Sequence, residues 1–374
     1  MDFGLDKKHE MARTLFKEFA ENEVKPLAQE VDETEVFPRA TVEKMAKYGF
    51  LGIPVPKEYE GQGCDPLTYV MCVEELAKVC ATTSVIVSAH TSLCIDPILT
   101  YGTPEQKAKY VPDLASGRKL GAFGLTEPGA GTDAQGQQTK AVLDGDEWVL
   151  NGSKCFITNG GIASFYCVTA MTDKTKGVKG MSMFFVEKGT PGLSTGKEEN
   201  KMGIRTSNTC DVVLEDVRIP ASNLIGEEGK GFNIAMQTLD QARTWMGCVA
   251  TGIAQRGINE AIAYGKERVQ FGKPIIKNQA LKFKVADMEI KTETARQMVA
   301  HALTKMDLGL PYTKESAIAK CYASDIAMEV ASCSCSAVTA TAESTRSRSF
   351  LEMRRSSRSL REQTKYRESL SQTV

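Results

Sequence analysis

AFGLTEPGAGTDA at residues 122–134 and WVLNGSKCFITNGG at residues 148–161 are the stretches that decide the fold of this chain. In the first, the apolar run Ala122 to Leu125 reads as a short strand that delivers Thr126 and Glu127 to the turn Pro128-Gly129-Ala130-Gly131, closed by Thr132 and Asp133. Proline presets its own φ and glycine tolerates φ > 0, so successive backbone N–H groups there can converge on one concavity suited to an anion or a ring carbonyl. The second stretch reads as a hairpin: Trp148 to Leu150, a turn at Asn151-Gly152-Ser153, then Lys154 to Thr158, ending at Asn159-Gly160-Gly161. Pairing of the strand ends would gather the hydroxyls of Thr126, Thr132 and Thr158 and the face of Phe156. Two ordinary hairpins with turn glycines and a core Phe156 satisfy the same spacing.

Outward from this centre, residues 120–220 carry β texture throughout. Strands are expected at 120–126, 140–144, 147–158, 164–171, 180–187 and 209–219, and their spacing fits a small antiparallel sandwich or barrel. On the N-terminal side, 5–31 and 37–50 show helical spacing (Met11, Leu15, Phe19; Val42, Met45, Ala46), and further helices are expected from Pro66 to about Val87 and from Ser92 to Leu114. On the C-terminal side, long helices from about Asn233 to Arg268, from Asn278 to Leu308 and from Thr313 onward make an antiparallel bundle. The fold class is α+β, with an N-terminal helical domain at 1–119, a middle β domain at 120–220 and a C-terminal helical domain at 221–374.

With 374 residues, 42% apolar and 25% charged, the chain can bury a large core. A net charge of −1 and a pI near 6.4 supply no basic field for nucleic acid or an anionic membrane. The first residues form no secretory signal, and no apolar run reaches the roughly 18 residues of a membrane span, so a cytoplasmic enzyme is expected. Eleven cysteines without a C-x-x-C pair, and three scattered histidines, argue for reduced thiols and against a metal site. Cys72, Cys80, Cys94, Cys167 and Cys248 lie in apolar stretches, where cysteine behaves as a small hydrophobe.

The stretch Phe123 to Asp133, together with Phe156-Ile157-Thr158-Asn159-Gly160, resembles the flavin-binding signature of the acyl-CoA dehydrogenase family. The resemblance runs from Met1 to about Ser332 and is strongest to bacterial short-chain (butyryl-CoA) members. It implies that Phe123, Leu125, Thr126, Thr132, Phe156, Ile157 and Thr158 bind FAD. Arg268, Gln270 and Phe271 resemble the family motif R-x-x-F-G, whose arginine reaches the FAD pyrophosphate of a neighbouring subunit; Gln279 is expected on the same cofactor. Lys201 to Ser207 resembles a family segment near the cofactor, and reads equally as a solvated basic turn. Asp240 and Arg243, three apart on a helix, would satisfy a surface ion pair, but because Leu239-Asp240-Gln241-Ala242-Arg243 matches the substrate-facing segment, Thr132, Asp240 and Arg243 are expected at the acyl-CoA. The implied reaction is α,β-dehydrogenation of an acyl-CoA: a carboxylate takes the α-proton, the β-hydrogen leaves as hydride to flavin N5, and fixed donors polarise the thioester carbonyl. The implied partners are an electron-transferring flavoprotein and, through the shared FAD site, further copies of the chain in a homotetramer.

The tail departs from this pattern. Family members end with segments of the type GGYGY, RDAKI and EGTNEIQR, the glutamate of EGT being the base. Residues 333–374 instead read CSCSAVTATAESTRSRSFLEMRRSSRSLREQTKYRESLSQTV, without Gly, Pro, Asp, Asn or Ile. If Leu360 to Glu368 are encoded TTG AGG GAA CAA ACG AAA TAC AGA GAG, reading from the last base of the leucine codon gives Glu-Gly-Thr-Asn-Glu-Ile-Gln-Arg. In the same phase, freely chosen codons for Ser336 to Ala342 give Gly-Gly-Tyr-Gly-Tyr-Ser, and those for Leu351 to Ser356 give Arg-Asp-Ala-Lys-Ile. Residues after about Ser332 are therefore expected to be translated from a shifted frame, the rival being a divergent Arg/Ser-rich tail. The catalytic residue is then unassigned: the family glutamate falls near Arg361, an arginine accepts no proton at neutral pH, and the alternative family position is Ala242. Weakened FAD binding and little dehydrogenase activity are expected of the chain as written. The rival functions are a non-catalytic flavin or acyl-CoA-binding protein and an oxidase-like relative.

Overall fold

The computed structural model of the protein describes residues 5–339, with side chains to Ser334. The N-terminal domain is built of α1 (Lys7–Phe19), α2 (Ala28–Thr34), α3 (Arg39–Lys47), α4 (Pro66–Ala77), α5 (Ala81–Ala89), α6 (Asp96–Tyr101) and α7 (Pro104–Ala115). Local chemistry sets the starts. Asp65 accepts from the Thr68 N–H at 2.7 Å ahead of Pro66, and Thr103 and Gln106 form a reciprocal capping box ahead of Pro104. The helix expected as one piece at 66–87 is two, broken at residues 78–80. A π-helical turn, His90–Ile95, joins α5 to α6.

The middle domain comprises β1 (Gly121–Gly124), β2 (Lys140–Asp144), β3 (Glu147–Thr158), β4 (Phe165–Met171), β5 (Met181–Glu187), β6 (Leu193–Thr195), β7 (Thr209–Pro220) and β8 (Leu224–Ile225). Their order in the sheet is β6-β7-β3-β2-β4-β5-β8, with β1 on β4. Most pairs are antiparallel, as expected, but β1 runs parallel to β4, and β2 meets β4 in parallel through Lys140 and Met171. The hairpin expected at Asn151-Gly152-Ser153 is not there: β3 is one continuous 12-residue strand, and the hairpin turn lies at residues 144–147 between β2 and β3. Gly152 marks a register shift against β7 at φ +153°, and a Cβ there would stand 2.4 Å from Thr139 Oγ1, so this glycine serves a close approach and not a turn.

The C-terminal domain follows with α8 (Gly231–Glu267), a two-stranded ribbon of β9 (Val269–Gln270) and β10 (Lys273–Pro274), α9 (Gln279–Asp307) and α10 (Thr313–Thr339). Helix α8 is the axis of the molecule. Its middle carries small residues that let it lie against α4, and a Cβ on Gly252 would reach within 2.6 Å of the Glu74 carbonyl. One core cluster joins α1, α4 and α5 to α8, α9 and α10, and contains the edge-to-face pair Tyr69 and Trp245. A second draws Tyr110, Phe123, Phe165, Phe185, Ile234 and Leu239 from all three domains, and a third fills the interior of the sheet around Trp148 and Phe184. The five cysteines read as small hydrophobes are all buried.

Candidate functional site

Where β1 ends, the chain passes through Leu125 and Thr126 into a turn closed by Glu127 and Ala130, which exchange backbone hydrogen bonds of 3.1 and 3.0 Å. Gly129 does not take positive φ, so that part of the turn is made without the left-handed glycine anticipated for it. The Cys155 N–H donates to the Thr126 carbonyl at 2.8 Å, which sets the end of β3 beside this turn. Between Lys154 and Ile157 the register of β3 against β7 slips, and Phe156 occupies the slip at φ +59° with 64% of its surface exposed. An aromatic residue held in the left-handed region is strained by about 1 kcal/mol or more, and here the strain presents a bare ring outward beside the turn.

Around that ring the site residues take distinct places. Phe123, Leu125 and Ile157 are buried, while Thr126, Thr132 and Thr158 are half-buried. Asn159, also left-handed at φ +64°, anchors the end of β3: its N–H donates to the Asn208 carbonyl at 2.7 Å, and its Nδ2 lies 3.4 Å from the Ile86 carbonyl. Its Oδ1 is buried without a hydrogen-bond partner, as are Thr206 Oγ1 and Ser207 Oγ on the loop that leads into Thr209, the β7 residue opposite Thr158. Buried oxygens left unpaired beside an exposed aromatic ring fit a bound polar, planar group such as a flavin.

Behind the turn, Lys154 Nζ donates to Glu127 Oε1 at 2.7 Å, Gln137 Oε1 at 3.0 Å, and both the Leu125 carbonyl and Thr169 Oγ1 at 3.3 Å. Glu127 also accepts from the N–H groups of Gln138 at 2.6 Å and Thr139 at 3.1 Å. Burial pushes the Lys154 ammonium down to about 8, with the Glu127 charge opposing. For Glu127, burial raises the carboxyl, but Lys154 and the amide donors outweigh it and hold it below its ordinary value. Sequence reading passed over this pair because a lysine in an amphipathic strand ordinarily faces solvent.

On α8, Asp240 and Arg243 form an ion pair, and both are buried, which removes the surface-pair reading. Thr313 at the start of α10 donates to Asp240 Oδ2 at 2.6 Å. One residue on, the Gln241 amide, assigned with its nitrogen toward Asp96, donates to Asp96 Oδ2 at 2.6 Å and Oδ1 at 2.9 Å. Burial lifts the Asp96 carboxyl to about 7, partly offset by Gln241 and Thr100. Asp96 was not singled out from sequence; an acid one residue before Pro97 reads as a helix-start residue. Ala242 is buried and carries no acid, and Arg361 lies outside the described residues.

Arg268, Gln270, Phe271 and Gln279 stand apart from this grouping, all exposed on the β9 and β10 ribbon and the start of α9. Phe271 is 93% exposed at φ +52°. Among the described residues no group of His, Cys, Asp or Glu could hold a metal ion, and no helix is long and apolar enough to cross a membrane.

Comparison with known proteins places three family models along the chain in order: acyl-CoA dehydrogenase N-terminal domain at residues 6–118, middle domain at 122–217 and C-terminal domain at 229–361. The C-terminal match thus reaches into the compositionally aberrant tail. The short-chain specific acyl-CoA dehydrogenase of Clostridium acetobutylicum is 55% identical over 330 residues, covering 88% of this chain and 87% of that protein. An acryloyl-CoA reductase (NADH) of Anaerotignum propionicum is 48% identical, covering 87% of this chain and 83% of that one. Among solved structures, butyryl-CoA dehydrogenase from Megasphaera elsdenii superposes with a TM-score of 0.94 at 42% identity, covering 100% of this chain and 97% of that one. A chain from work on the electron transferring flavoprotein of Acidaminococcus fermentans gives 0.94 at 44%, with complete coverage of both.

Proposed function

The chain belongs to the acyl-CoA dehydrogenase family, and from that membership we propose that its natural task is the α,β-dehydrogenation of a short-chain acyl-CoA to the trans-2-enoyl-CoA, with electrons passed to an electron-transferring flavoprotein. It is an FAD-dependent oxidoreductase. The observation that carries the site assignment is Phe156, a strained, exposed ring beside the Leu125 to Glu127 turn. FAD, when bound, supplies the acceptor for the β-hydrogen. Phe156, Ile157 and Thr158 would border its ring system, with Phe123, Leu125, Thr126 and Thr132 along the opposite segment. Asp240 and Arg243 would hold the thioester end of the substrate beside Thr132. The exposed Arg268, Gln270, Phe271 and Gln279 suit contact with the cofactor of another copy, so a homotetramer in the cytoplasm belongs to the proposal.

The catalytic proton transfer is proposed to be impaired in the chain as written. The base implied for this reaction by family membership is a carboxylate free to take the α-proton. Ala242 offers none, Asp240 is engaged by Arg243 and Thr313, and Asp96 by Gln241. Translation of a shifted frame after about Ser332 accounts for the missing glutamate. The second reading, a flavin or acyl-CoA-binding protein without a base, is favoured by the same Ala242. The visible spectrum before and after anaerobic addition of butyryl-CoA separates them. Bound flavin that stays oxidised supports an intact cradle without its base; flavin that bleaches overturns the impairment; protein without flavin overturns the cradle. Sequencing the coding DNA tests the shifted frame, which fails if no overlapping EGTNEIQR reading exists.

A further inference from the structure

We propose that Lys154 and Glu127 are positioning residues for the flavin, a buried ion pair that laces the two halves of the cradle into one rigid edge. The proposal rests on the assignment of FAD to this site and says what holds the site in shape.

The two halves come from separate parts of the chain: Leu125 to Glu127 after β1, and Lys154 to Thr158 at the end of β3. One backbone bond joins them, from the Cys155 N–H to the Thr126 carbonyl. Lys154 makes the remaining links. Its stem passes beneath Gly124, where a Cβ would stand only 3.2 Å from the Lys154 Cγ, and its Nζ reaches Leu125 and Glu127 on either side of Thr126. Thr126 is thereby held from three directions, by Cys155 directly and by its two clamped neighbours. The ammonium, with no exposed surface, also ties in Gln137 and Thr169, and the second carboxylate oxygen of Glu127 fixes the chain that follows the turn through Gln138.

This arrangement is more than a core contact. A buried ion pair usually stabilises less than apolar residues of the same volume, because desolvating two charges is costly. A pair retained here, with every donor and acceptor used, fixes geometry where geometry matters: Phe156 stands two residues from Lys154, in a backbone conformation that only rigid surroundings maintain. Removing the ammonium leaves the carboxylate buried and uncompensated; removing both charges keeps the volume and loses the lacing.

The test compares wild type, Lys154→Met, and the double variant Lys154→Met with Glu127→Gln, in which the single glutamine oxygen keeps one of the two N–H donors, Gln138 or Thr139, while the other loses its acceptor. Three readouts are taken on each: FAD dissociation constant, flavin reduction potential, and hydrogen exchange of the Cys155 amide in the apoprotein. The double variant is expected to melt as a folded protein, to bind FAD about tenfold or more weakly, to shift the flavin potential and to exchange the Cys155 amide faster. Lys154→Met alone is expected to show the same changes more strongly or to lose its fold, in which case the double variant carries the test. A folded double variant with unchanged FAD affinity, potential and Cys155 exchange overturns the proposal. Wild-type protein that binds no FAD overturns the cofactor assignment and the flavin role with it, while unchanged Cys155 exchange overturns the lacing on its own terms.

Discussion

The backbone N–H of Gly121 donates to Nδ1 of His90 at 3.0 Å, and Nε2 of the same ring donates to the Leu114 carbonyl at 3.0 Å, so one neutral imidazole with no exposed surface ties the π-turn, the end of α7 and the first strand together. Burial pushes its pKa down to about 4 from 6.5. Between those values the unfolded chain binds a proton that the native state refuses, so native stability falls as pH drops from 6.5 to 4, by about 3 kcal/mol from this ring. A His90→Gln variant, measured by denaturant titration at several pH values, is expected to be less stable than wild type at pH 7. The gap should narrow by about 3 kcal/mol on reaching pH 4.

Asp96 acts in the opposite sense. Its folded pKa, raised to about 7 from 3.8 by burial, lets the native state hold a proton that the unfolded chain has released. Its contribution is therefore full below pH 3.8 and lost as pH rises through 7. Asp96→Asn, whose amide does not titrate, is expected to gain on wild type steadily from pH 4 to 7 in the same titrations. A constant difference across that range would contradict the assigned burial effect.

Arg243→Met leaves the Asp240 carboxylate buried with only Thr313 to satisfy it and is expected to cost about 3 to 5 kcal/mol of stability. Adding Asp240→Asn should recover a large part of that loss. If the pair also contacts the thioester end, acyl-CoA affinity in the double variant stays weak after stability is recovered, and a titration of butyryl-CoA binding reads this directly.

Phe156→Gly removes a side chain that packs little and relieves a left-handed backbone. Apoprotein stability is expected to stay within about 1 kcal/mol of wild type, the relief being offset by the freer unfolded chain. FAD affinity should nevertheless drop, since the ring is the exposed face of the cradle. Equal FAD affinity in the two proteins would remove Phe156 from the site.

Much of the fold is legible in the sequence because its elements are long or strongly patterned. Six strands stand within a few residues of their expected ranges, and α8 and α9 begin and end close to where glycine and proline breaks suggested. What escaped has physical causes. Strands β6, β8, β9 and β10 are two or three residues long, too short to show alternation. Asn151-Gly152 is a strong hairpin signal that tertiary packing overrides, since Gly152 is needed flat against Thr139. In the site, Phe156 and Thr158 could be named from the motif, but neither the strain on Phe156, nor the burial of Lys154, nor the half-buried, desolvated setting of Asp96 has any local signature. These depend on which segments the sheet and helices bring alongside.

The second core cluster has a further consequence for the molecule's life as a chain. Tyr110 of α7 stacks at 3.9 Å on Phe185 of β5 and meets Phe165 of β4 edge-on, with Ile234 and Leu239 of α8 in the same cluster. No one segment owns this nucleus, so the three domains by sequence order are not three independent folding units. A ribosome that has finished the β domain has made a half-covered apolar face, which waits for α8 to emerge. Helix α8, the axis of the finished molecule, is thus also the element that closes this nucleus by adding Ile234 and Leu239 to it.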